Sequence, residues 1–237
     1  MNKKKSVEQA SKPEKTVSEI MQDELEPIAV HPTEYDESDD LEAAKMVETK
    51  SPEIQTADEL QLLRFDDPFL MRTPAPFRFE PEDLDTREGS GLDPLELKER
   101  LLQAMYQLGG VGLSANQVGI NAAAFVIGNK EQKFEKIFIN PEVIGVSKEQ
   151  ESIKEGCLSF PGLYLMVKRP IKCAIKYWNS QAEEIVEEYE GVSARVILHE
   201  YDHMLGQNFT MRVTKLKLER ALKALQKKAK KYQRQNA

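Results

Sequence analysis

Cysteine is scarce in this 237-residue chain, which has only Cys157 and Cys173. A disulfide framework is excluded as what holds the fold, and each thiol is a candidate ligand, nucleophile or core filler. No stretch approaches the roughly 18 consecutive apolar residues of a membrane span, so no membrane partner is expected. Residues 1–58 have no Phe, Trp or Arg, against 7 Lys and 15 Asp or Glu. Without Arg and with this acidity they do not read as an organelle transit peptide. No apolar segment of the secretory kind follows residues 1–5 either, so a cytoplasmic protein is expected. With so little apolar surface to bury, residues 1–58 are expected to be a disordered acidic extension, with transient helix near 17–25.

The remainder, 59–237, is close to charge-neutral and reads as one domain. Leu62, Leu63 and Phe65 open it, followed by a turn at Asp66-Asp67-Pro68 and a stretch kept irregular by Pro74, Pro76 and Pro81. Asp93-Pro94 with Glu96 signals a helix start. Leu97, Leu101, Met105 and Leu108 then recur at helical spacing until Gly109-Gly110. A glycine-punctuated loop is expected over 111–118, a buried strand over 122–127, and short strands over 137–139 and 143–146. Residues 171–177 alternate as on a half-buried strand that places Cys173 inside, with a partner over 184–189. Helices are expected over 192–205 and about 215–231. The pattern predicts an α+β fold: antiparallel strands around one central helix, with a helix before it and one after it.

Histidine is scarcer still in proportion to its use. Of three, His31 falls in the acidic extension, where it reads as solvated, and the other two form His199-Glu200-Tyr201-Asp202-His203. On a helix, i and i+4 share a face, so both imidazoles can grip one metal ion while Glu200 takes a proton from water beside it. A catalytic site needs a third protein ligand. Glu219, 20 residues after His199, is one candidate, although an ion pair along a Lys-rich helix explains it well. Cys157, in the glycine-flanked Glu155-Gly156-Cys157-Leu158-Ser159, is the other, and its soft thiolate suits iron, nickel, cobalt or zinc. Cys157 is the favoured ligand.

Three segments together resemble the peptide deformylases over about residues 60–230. Gly110-Val111-Gly112-Leu113-Ser114-Ala115-Asn116-Gln117 is similar to the first motif of that family. Glu155-Gly156-Cys157-Leu158-Ser159 matches the second, and His199-Glu200-x-x-His203 matches the third, in the same order and spacing. Phe160-Pro161-Gly162-Leu163-Tyr164 looks like the organellar and phage-type branch. The resemblance implies hydrolytic removal of the N-formyl group from the formyl-methionine of nascent chains. Cys157, His199 and His203 would hold one divalent metal, natively Fe2+, with Zn2+, Ni2+ or Co2+ as substitutes. Glu200 would act as general base and then general acid. The Gln117 side-chain amide and the Leu158 backbone N–H would stabilise the oxyanion. Val111, Val192 and Val196 would line a methionine pocket, Gly112 would bond the substrate backbone, and Glu155 would pair with Arg169 to pin the cysteine loop.

Some positions depart from the family pattern. Ser114 stands for the usual alanine, a mild change. Leu198 stands where glutamine normally precedes the first histidine, Arg195 where small or apolar residues are frequent, and Tyr164 where some members have arginine. These bear on rate, metal preference and peptide recognition, not on reaction type. Two other functions compete: a metalloprotease using Glu219 as third ligand, and an inactive ribosome-associated scaffold. Intact Gln117, Cys157 and Glu200 speak against the latter. Residues 212–237 carry 10 Lys or Arg and one Glu. They read as a solvated amphipathic helix or, with support from the resemblance, as a contact for ribosomal RNA.

Overall fold

The computed structural model describes residues 25–26, 60–79 and 93–235. The expected disorder of 1–58, its transient helix and His31 lie outside the described residues, apart from the backbone at 25–26. The helix start at Asp93 is as expected: its carboxylate accepts from the Leu95 and Glu96 N–H groups at 2.8 and 3.3 Å. Pro94 occupies the first turn, where no N–H is missed. The helix, α1 (Pro94–Gln107), buries Leu97, Leu101 and Met105, and Gly109 leaves it at a φ of 72°.

A six-stranded antiparallel sheet follows. It runs β2 (Gly112–Ser114), β3 (Ala124–Asn129), β4 (Phe134–Ser147), β7 (Lys172–Trp178) and β8 (Glu184–Glu190), with the short β1 (Leu25–Glu26) added along β4. Between β4 and β7 the chain makes a separate two-stranded sheet, β5 (Gln150–Gly156) with β6 (Tyr164–Pro170). Then come α2 (Gly191–Met204) and α3 (Lys215–Gln235), the latter four residues longer than expected. Among the described residues no helix is long and apolar enough to cross a membrane.

Two expectations need correction, and one hairpin was not anticipated. Residues 112–114 form a strand, and 115–118 a 3-10 turn, where a loop was expected. The segments around Asn140-Pro141 are one strand, not two. Pro141 offers no N–H to a ladder, and the register with β7 slips between Ile139 and Glu142, so the strand continues through a bulge. Asn140 takes a φ of 48° there, and its side chain grips the Phe77 backbone, accepting at 2.7 Å and donating at 2.9 Å. Strands β5 and β6 carry no clear apolar alternation because Glu155 and Arg169 occupy inward positions normally filled by hydrophobic side chains.

Helix α2 is central. Its Ala194, Ile197, Leu198 and Met204 pack against Phe125, Phe138 and Ile175 of the sheet, each buried large side chain contributing about 1.5–3 kcal/mol. Leu97, Leu101 and Met105 of α1 close a second core with Leu113 and Val126. A third core forms where Leu218, Leu222 and Leu225 of α3 meet Leu163, Leu165, Val167 and Phe209 beneath the cysteine loop. Cys173 is fully buried on β7, as expected, and both cysteines are free thiols.

Candidate active site

Helix α2 carries Val192, Val196, His199 and Glu200 into a cleft of about 680 Å³, whose walls include the 108–112 and 153–164 segments, and His203, one turn after His199, is buried. Cys157 enters from the end of β5. Its carbonyl accepts from the Phe160 N–H at 2.9 Å, and a second turn through Gly162, at a φ of 78°, returns the chain to β6. Gly156 lies so close to its partner strand that a Cβ there would sit 2.7 Å from the Tyr164 ring.

These two elements bring one sulfur and two imidazole nitrogens within 4.8 Å of one another. The Cys157 Sγ lies 3.5 Å from His203 Nε2, the separation that bonds of about 2.3 Å to sulfur and 2.0–2.1 Å to nitrogen require at a tetrahedral ion. Glu219 is exposed on α3 and lies outside this cluster, so the fold does not supply the alternative third ligand.

Behind His199 stands a buried ionic network. Its Nδ1 faces Glu155 Oε2 at 3.1 Å, which leaves Nε2 for the cluster. Arg169 grips both Glu155 oxygens at 2.8 and 3.0 Å, as expected, and also meets the Leu198 carbonyl at 3.0 Å and Asp202 at 2.9 Å. Arg195 adds a second guanidinium on Glu155 at 2.9 Å and bonds the Val167 and Glu151 carbonyls. Arg212 closes the chain on Asp202. Burial opposes ionising Glu155, yet His199 and the two arginines outweigh it and hold the carboxyl down at about 2. Burial also works against a charged His199, but Cys157 and Glu155 overcome it and raise the imidazole to about 10. His203 is pushed down to about 3 by burial and by His199, which keeps it a neutral donor.

Glu200 is buried, which raises its carboxyl toward the range useful for a general base, while His199 and Ser114 pull the other way. The Ser114 hydroxyl donates to Glu200 Oε2 at 2.7 Å. Gln117 is also buried: its Oε1 accepts from the Ser114 N–H at 3.0 Å, and its amide donates to Cys157 Sγ at 3.3 Å and Ser159 Oγ at 3.1 Å. Leu158 lines the cleft beside the cysteine. Gly112 is a close approach, since a Cβ there would lie 2.5 Å from Glu200 Oε1 and 2.8 Å from Val196. Val196 sits deeper, whereas Val111 and Val192 are exposed at the rim. All the residues expected at the site therefore border one cleft or support it.

The sequence reading missed the contact between Ser114 and Glu200, the roles of Asp202 and Arg212, and the polar grip of Arg195. An ionisable residue inside a hydrophobic helix face was the one signal for the last. Leu198 is explained: its side chain packs on the sheet side of α2, away from the ligands, and only its carbonyl reaches Arg169.

A family model described as polypeptide deformylase matches residues 79–219. A curated peptide deformylase of Natranaerobius thermophilus is 44% identical over 118 residues, covering 49% of this chain and 75% of that protein. The crystal structure of a plant peptide deformylase superposes with a TM-score of 0.61 at 30% identity, covering 77% of this chain and 96% of its own. A peptide deformylase from Synechococcus elongatus, solved in complex with actinonin, gives 0.58 at 32% identity, with 74% and 94% covered.

Proposed function

The chain belongs to the polypeptide deformylase family and removes the N-formyl group from nascent polypeptides, and we propose that Cys157, His199, His203, Glu200 and Gln117 perform this reaction. The observation that carries the assignment of residues is the convergence of the Cys157 sulfur and both histidine nitrogens beside a buried carboxylate. The family is metal-dependent, and the donor set suits Fe2+, Ni2+, Co2+ or Zn2+; Fe2+ is the native ion that the family resemblance implies. When bound, the ion supplies Lewis acidity that polarises the formyl carbonyl and makes water acidic enough to ionise near neutral pH.

The protein's own groups do the rest. Glu200 takes the proton of the attacking water and returns it to the departing amine, so that formate and a free N-terminal methionine are released. The Gln117 amide and the Leu158 N–H would donate to the oxygen on which charge builds, and losing one such donor costs about a hundredfold or more in rate. Val111, Val192 and Val196 enclose the methionine side chain, and Gly112 bonds the substrate backbone, at a position where a Cβ would strike Glu200 and Val196. A formyl carbon bears only hydrogen, so a tight site admits it and rejects acetyl. Comparable rates on acetyl-Met peptides would sink that size filter.

Formate release from formyl-Met-Ala-Ser under anaerobic conditions, lost in Glu200→Ala, is the expected result; a Glu200→Ala variant at parental rate would refute the assignment. Because the Synechococcus relative was solved with actinonin, actinonin should protect the 108–112 and 153–164 walls from hydrogen exchange. The basic outer face of α3 is proposed to contact ribosomal RNA. Its leucines pack beneath the cysteine loop, so reversing the exposed Lys223, Lys227 and Lys230 tests this more cleanly than truncation. Unchanged ribosome co-sedimentation would argue against it.

A further inference from the structure

Ser114 holds a hydroxyl where the sequence pattern expects none, and it is fully buried. Its Oγ lies 2.7 Å from Glu200 Oε2 and 3.3 Å from the Glu200 carbonyl. The single hydroxyl hydrogen goes to the nearer, charged oxygen, where the bond is strongest. Rotation about the last bond of a glutamate side chain is soft and nearly two-fold, so covalent geometry alone does not choose which oxygen faces the cleft. Two neighbours make that choice here. Ser114 takes Oε2, and the missing side chain of Gly112 leaves room for Oε1, which a Cβ would meet at 2.5 Å.

We infer that Ser114 is a positioning residue for the deformylation reaction, its hydroxyl locking the Glu200 carboxylate in the orientation that carries the proton. The inference rests on the reading of Glu200 as the proton carrier. The hold on the Gln117 side chain comes from the Ser114 backbone N–H, which any side chain preserves. The hydroxyl donates to Glu200 and to none of the three ligand atoms, while its oxygen also accepts from the Gln117 backbone N–H at the start of the 115–118 turn. Replacing Ser114 by alanine therefore removes one buried donor and leaves Oε2 without its partner, free to turn or to be rearranged at each turnover.

The test compares Ser114→Ala, Ser114→Cys and Glu200→Ala in the metal-loaded full chain, using formyl-Met-Ala-Ser. Ser114→Ala should lower kcat about tenfold with KM within about twofold of the parent, while metal per chain and Tm stay as they were. Ser114→Cys, similar in size but a weak donor, should fall with the alanine variant. The inference is overturned if either folded variant keeps the parental kcat, or if kcat falls only in step with lost metal or raised KM. Parental turnover by Glu200→Ala would instead remove the proton-carrier reading. Loss of turnover in Glu200→Ala with full kcat in Ser114→Ala would remove the positioning role alone.

Discussion

His199 and His203 stand one turn apart on the same helix face, yet what lies behind them differs. The Nδ1 of His199 meets a carboxylate held by two arginines, one of which also binds Asp202, itself held by Arg212. The Nδ1 of His203 is buried without a hydrogen-bond partner among the described residues, and Asn116 binds only the His203 backbone carbonyl, at 3.1 Å. One imidazole is therefore aimed by charge and hydrogen bonding, the other by packing. The second strategy leaves a buried ring nitrogen unpaired among the described residues, at a cost of about 1–3 kcal/mol, and fixes the ring less strongly. The first tethers the helix to the cysteine hairpin, because Glu155 sits two residues before Cys157. One network thus aligns ligands from both elements.

The comparison can be broken most decisively at Glu155. Glu155→Gln leaves two buried guanidinium groups short of their counter-charge, so stability should drop by about 3–5 kcal/mol in urea unfolding. Metal affinity should weaken about 10- to 100-fold by competition with a chelator. On the other side, Asn116→Ala should change metal affinity by less than about threefold. Equal losses in the two variants would erase the proposed asymmetry.

A smaller effect concerns pH. Glu155 is held at about 2 in the fold, below its ordinary 4.5, and Asp202 is also lowered. Their stabilisation is fully present above the ordinary carboxyl range and is lost as pH falls through about 4 toward 2. Unfolding free energy of the parent should decline across that window more steeply than that of Glu155→Gln; parallel curves would contradict the network's role. The smallest change is expected at Leu198. Leu198→Gln restores the family's usual residue but buries an amide among Phe125, Phe138 and Ile175. A loss of about 1–3 kcal/mol with kcat nearly unchanged is expected. A faster enzyme would mean that this position acts on the site after all.

Much of this was legible before any coordinates. Asp93-Pro94 and the leucine spacing announce α1, and the period of Val192, Val196, His199 and His203 announces the active face of α2. The hairpin of β5 and β6 was not legible, because its inward residues include Glu155 and Arg169. Charged residues at core positions carry no apolar alternation to read, and only a partner from the opposite strand makes their burial tolerable. Ser114 was read as a mild replacement because a hydroxyl's importance depends on what lies 2.7 Å away, here a residue 86 positions later.

The chain alone announced two histidines and a glutamate on one helix face, the helices around them and, through its resemblance to a family, the reaction, since spacing and side-chain chemistry are local. Tertiary structure decided that Cys157, not Glu219, completes the cluster, and that Leu198 faces the sheet. It also decided that Ser114 grips Glu200 and that a carboxylate bonds the Nδ1 of His199, while that of His203 has no partner among the described residues. Each of those outcomes depends on distances between segments far apart in sequence, which are set when the cores between sheet, hairpin and helices close.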